Sequence, residues 1–138
     1  MPGFAYYVKG VLVDAGTIKV IPGDDIHRRL FELRRSLMED FAVPDVLITE
    51  NIPPFMDGGF NKSILNLHYS VGVVMSVFYC VMARIPPLVW RKYIPENYNK
   101  TDRNDAIMLG YTAIKFAADY YGEPCPAEPA LSLVGGTT

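Results

Sequence analysis

Asp102 and Asp105 stand three residues apart where a polar stretch gives way to an apolar-periodic one. That spacing puts both carboxylates on one face of a helix's first turn. A third carboxylate, Glu50, ends the apolar run Val46-Leu47-Ile48-Thr49. Sites in open α/β sheets form at strand ends. If the last helix crosses the sheet near Glu50, the three carboxylates converge. Such a cluster repels itself unless a cation is present, and oxygen ligands with little histidine favour Mg2+ or Mn2+ over zinc. Paired divalent ions roughly 4 Å apart activate water on a phosphodiester and stabilise the leaving oxygen. The plainer readings are local. Asp102 alone is a helix N-cap, and Asp105 is a first-turn acid favoured by the helix dipole.

Other chemistries find little support. There is no Gly-x-Gly-x-x-Gly after a strand, no P-loop and no Gly-x-Ser-x-Gly. Cys80 sits in an apolar stretch, Cys125 in a proline-rich tail, and neither belongs to a CxxC pair. His27 and His68 stand alone, which argues against zinc. Lys62, Arg91, Lys92, Lys100 and Arg103 are candidate contacts for phosphate groups, as is Arg84, with ordinary surface charge as the alternative.

The elements that must position these residues follow from patterning. Residues 4–8 read as a strand and Lys9-Gly10 as a turn. Residues 11–13 and 17–21 read as the return strand, with a bulge or kink at Asp14-Ala15-Gly16. Asp24 or Asp25 caps a helix whose face is Ile26, Leu30, Leu33, Leu37 and Phe41. Arg28, Arg29, Arg34 and Arg35 fall on its other faces, where a solvated surface is the plain reading and a phosphate-contacting role the lesser one. Residues 46–49 suit a strand buried on both faces. A Gly-rich loop over residues 56–60 precedes a long helix from about Asn61 to Arg84. Residues 88–94 read as another strand and residues 95–100 as a polar loop. The last helix runs from Thr101 or Asp102 to about Tyr121, with Ile107, Tyr111, Ile114 and Ala118 on its apolar face. Gly110 sits inside it at a cost in propensity, and Gly122 closes it.

The chain has 138 residues, half of them hydrophobic, so one domain with a packed core is expected over residues 1–122, followed by a Pro-rich, extended or mobile tail over 123–138. Thirteen Lys plus Arg against fifteen Asp plus Glu exclude a globally basic nucleic-acid coat but not a local basic patch. Two cysteines exclude a disulfide scaffold. No targeting signal is visible, and the most apolar stretch, residues 69–83, is shorter than the ~20 residues a bilayer requires. A cytoplasmic, non-membrane protein is the expectation.

Val46-Leu47-Ile48-Thr49-Glu50-Asn51, Asn61-Lys62-Ser63 opening a long helix, and Thr101-Asp102-Arg103-Asn104-Asp105-Ala106 opening the last one together resemble the RuvC-type Holliday junction resolvases of the RNase H-like superfamily. The resemblance runs from about Gly3 to Ala118. It implies an α/β fold, an RNase H-like mixed sheet flanked by helices. It also implies four acidic ligands for two Mg2+ ions, with Glu50, Asp102 and Asp105 supplying three. The implied activity is hydrolysis of DNA strands at branched junctions by a homodimer, with the long helix contributing to dimer contacts. One departure is serious. The family's first strand carries an Asp-x-Gly-type motif and lies between the hairpin and the Glu-bearing strand, whereas Gly3-Phe4-Ala5-Tyr6-Tyr7 resembles the second strand. Asp14-Ala15-Gly16 offers the motif only superficially, because it would leave too little chain for the two later strands. The expectation is a fold lacking its central strand and one metal ligand, which should bind metal weakly and cleave poorly. A non-catalytic DNA-binding or assembly protein with this fold is the competing reading.

Overall fold

The computed structural model describes residues 2–21, 23, 25–51 and 62–121, the side chains of 119–121 excepted. The fold is mixed α/β, with two two-stranded sheets and four α-helices among the described residues. The chain divides into two compact units. One holds the N-terminal hairpin and the elements from Ile85 onward; the other spans Lys19–Arg84.

In the first unit, β1 (Gly3–Val8) and β2 (Val11–Thr17) pair antiparallel. Lys9 and Gly10 make the turn at φ of 51° and 80°. Positive φ at both central residues is what the type I′ hairpin turn requires, and its twist matches that of the strands. The hairpin has a bulge, but not at residues 14–16. Tyr6 pairs with Asp14 and Tyr7 with Leu12, so Val13 is the extra residue. Asp14, Ala15 and Gly16 continue the ladder opposite Tyr6, Ala5 and Phe4. Gly16 has a different use: a Cβ there would lie 3.2 Å from the Phe4 ring. Residues 18–21 leave the strand, although the Ile18 N–H still donates to the Pro2 carbonyl at 2.7 Å.

The hairpin packs on α4 (Asp102–Tyr121). The expected face holds, with Ile107, Tyr111 and Ala118 buried and Ile114 half-buried. A second buried row, Asn104, Met108 and Thr112, runs beside it at four-residue spacing. Tyr7 crosses from β1, and its hydroxyl donates to the Ile107 carbonyl at 2.7 Å. Its ring lies where a Cβ on Gly110 would be, 2.5 Å from Cε2. The glycine that weakens the helix locally is therefore what admits the ring.

Residues 88–94 form no strand. Pro87, which has no N–H to donate, opens the short helix α3 (Pro87–Trp90), and a 3-10 turn follows at Arg91–Tyr93. Burial of Trp90 fixes this segment to the unit's core.

In the second unit, α1 (Ile26–Asp40) buries Leu33 and Leu37. Asp25 caps it, its Oδ1 accepting from the Arg28 N–H at 3.3 Å. Asp25→Ala should lower stability by about 0.5–1 kcal/mol, read as a lower thermal midpoint. β3 (Val46–Glu50) is not buried on both faces: Val46 is exposed and the rest are half-buried, because its sheet has one further strand, β4 (Val81–Ile85). The long helix is shorter than expected. α2 (Lys62–Val77) ends seven residues before Arg84, and the β-rich run from Val81 becomes β4 instead. No residue of α2 is fully buried, apolar as it is. The Gly-rich loop, Asn61, Gly122 and the tail lie outside the described residues. Among the described residues no helix is long and apolar enough to cross a membrane.

Candidate functional site

α4 starts where it does because Thr101 caps it. The Thr101 Oγ1 accepts from the Asn104 N–H at 3.0 Å, and the Thr101 carbonyl accepts from the Asp105 N–H at 2.9 Å. The cap thus falls one residue before Asp102, leaving Asp102 exposed in the first turn with Asp105 three residues on. Asn104 points inward between them in sequence, 1% exposed, and its Nδ2 donates to the Asn99 carbonyl at 2.7 Å. That bond ties the polar loop to the helix start.

Asp105 is half-buried, and the Tyr98 hydroxyl donates to its Oδ1. Burial, reinforced by the adjacent carboxylate, pushes the Tyr98 phenol well above its ordinary value. It therefore remains a donor throughout the neutral range. Tyr98→Phe should cost about 1 kcal/mol of stability at pH 7. Because the folded-state value is raised, that contribution is complete below the unfolded phenol's value of 10.0 and is lost as pH rises beyond it. Denaturant midpoints of both proteins at pH 7 and pH 11 test this; an equal gap at both would refute it. Tyr98 was not among the candidate site residues, since the sequence shows only an aromatic in a polar loop.

The hairpin braces this turn. The Arg103 Nε donates to the Ala15 carbonyl at 3.2 Å, so its guanidinium is partly committed to the fold. Gly3 lies directly against the Asp102 carbonyl, with no room for a Cβ. Asp14, in contrast, is exposed on β2, and its Oδ1 accepts from the Ala15 N–H at 2.9 Å. It pairs with Tyr6 in the hairpin's return strand.

Glu50 is half-buried at the end of β3, in the other unit. Beside it in sequence, the Thr49 Oγ1 is buried without a hydrogen-bond partner, as is the His68 Nε2 of α2. Lys62 opens α2 and is exposed. Arg91, Lys92 and Lys100 are exposed in the unit that holds Asp102 and Asp105. The Arg91 guanidinium lies 5.7 Å from the centre of the Trp90 ring. The described structure thus gathers Asp102, Arg103 and Asp105 on one helical turn, with Lys100 just before it.

Asp102 and Asp105 are oxygen donors of the kind a hard cation takes. Among the described residues, no three His, Cys, Asp or Glu side chains are grouped so as to hold a metal ion. No family model, no curated protein and no solved structure matches this chain.

Proposed function

We propose that the chain is an RNase H-like, structure-selective endodeoxyribonuclease domain that acts on branched DNA, with Glu50, Asp102 and Asp105 as ligands of Mg2+ or Mn2+. The observation that carries this reading is the pair of two-stranded sheets. One is the N-terminal hairpin, and the other begins with the strand that ends in Glu50. A hairpin and a separate strand ending in Glu are the two pieces that the RNase H-like fold has besides its first strand. The reading calls for one further strand with an aspartate, which is not among the described strands.

Bound divalent cations would supply activated water and charge stabilisation at the scissile phosphate. The chain's own contribution is to hold the carboxylates. The Thr101 cap and the Gly3 contact set the first turn of α4, and Tyr98 orients the Asp105 carboxylate. Exposed Lys62, Arg91, Lys92 and Lys100, together with Arg103, are proposed to meet DNA phosphates. A homodimer through α2 is supported by the exposure of Leu67, Tyr69 and Met75 on a helix with no fully buried residue. The test is Mg2+-dependent nicking of a four-way junction, compared between the wild type and Glu50→Gln or Asp105→Asn.

That β1 carries no aspartate favours a second reading, a non-catalytic branched-DNA binder of the same fold. Salt-dependent junction binding without cleavage under any divalent ion would select it.

A further inference from the structure

The exposed side of α1 carries a large aromatic ring in a basic frame. Phe31 is 59% exposed on a helix whose opposite side buries Leu33 and Leu37. Side chains three and four residues apart are neighbours on a helix surface. The four such neighbours of Phe31 are His27, Arg28, Arg34 and Arg35, all exposed. No acid is among them. Glu32, adjacent in sequence, is half-buried and turned to the chain: its Oε2 accepts from the Ile21 N–H at 3.0 Å, and its Oε1 lies 3.9 Å from Arg28. Met38, also exposed, extends the stripe one step beyond Arg34 and Arg35.

We propose that this face of α1 binds single-stranded nucleic acid, with an unpaired base stacked on Phe31 and the flanking phosphates on Arg34 and Arg35. Stacking on an exposed ring beside a basic groove is the standard chemistry of strand binding, and it tolerates any base because every base has a π-face. A duplex offers no free base face, so it gains only the phosphate contacts. A membrane surface is the poorer fit. An interfacial helix needs a wide apolar face to enter the headgroup boundary, and the wide apolar face of α1 is already spent on Leu33 and Leu37. The inference deepens the branched-DNA reading and rests on it, since parting of the strands at a branch point is what would free a base face there.

The test uses the full chain and a fluorescein-labelled oligothymidylate, followed by anisotropy across a salt series. Phe31→Ala should weaken strand binding about tenfold, and Phe31→Trp should restore it. Arg34→Ala and Arg35→Ala should each reduce the slope of log affinity against log salt by about 0.7. Duplex of the same length should respond to the arginine variants and hardly to Phe31→Ala. Wild-type strand affinity in Phe31→Ala overturns the proposal, as does absence of strand binding. Phe31-dependent capture by phosphatidylserine vesicles with no strand binding overturns it in favour of a membrane contact. If Asp105→Asn abolishes nicking while Phe31→Ala binds normally, the α1 site alone fails. If Phe31 governs strand binding and no junction is cut, the nuclease reading alone fails.

Discussion

Asp105→Asn should reduce Mg2+-dependent junction nicking by ~100-fold or more while leaving junction binding intact. The substitution is nearly isosteric. An asparagine oxygen still accepts from Tyr98, so the first turn of α4 keeps its geometry and only the negative charge goes. A carboxylate ligand to a divalent cation contributes several kcal/mol to holding it, and each 1.36 kcal/mol is about tenfold in rate. Glu50→Gln should act likewise from the end of β3. The comparison is made on whatever nicking the chain supports, since the proposed site wants one more aspartate. Tyr98→Phe is the internal control. It leaves both charges in place, so it should shift the Mg2+ concentration for half-maximal nicking more than the maximal rate. Asp105→Asn or Glu50→Gln cutting at the wild-type rate would remove these residues from the site.

Gly3→Ala should destabilise the hairpin-bearing unit by about 3 kcal/mol, the upper end of what overpacking costs. The new methyl would fall on the Asp102 backbone carbonyl. Backbone of a capped helical turn cannot swing aside as a long side chain can, so β1 must move away from α4. That movement also takes strain to the turn that bears Asp102 and Asp105. Gly110→Ala is the informative contrast. Helix propensity alone predicts a gain of about 1 kcal/mol. The Tyr7 ring stands in the way, and it is held by its bond to Ile107, so a net loss of about 1–2 kcal/mol is expected. Denaturant midpoints for both variants settle the signs. A stabilised Gly110→Ala would mean that the ring gives way easily, and an unchanged Gly3→Ala would mean that β1 does not press on α4.

The parts of the fold that were legible in advance share a cause. The Lys9-Gly10 turn, the Asp25 cap, the Leu33 and Leu37 face of α1 and the Ile107, Tyr111 and Ala118 face of α4 are all written within a few residues of themselves. Turn chemistry and a 3.6-residue period need no distant partner. The candidate carboxylates were legible for the same reason, since Asp102 and Asp105 owe their shared face to spacing alone. The segments misread were apolar and short. Residues 81–85 and 88–94 fit either period, and what separates them is external. The first meets a partner strand in β3, and the second starts on Pro87 and drops Trp90 into a core.

Residue types and spacing thus established the local elements, the acidic first turn of α4 and the carboxylate that ends β3. Long-range packing settled which apolar runs became strands and why Gly110 is glycine. It also set Asp105 against Tyr98 and left the aromatic ring of Phe31 uncovered among arginines. The physical reason is that helical and strand periods report which side of an element is apolar. They carry no record of what that side will meet, and both the hydrogen bond to Asp105 and the exposure of Phe31 depend on what is met.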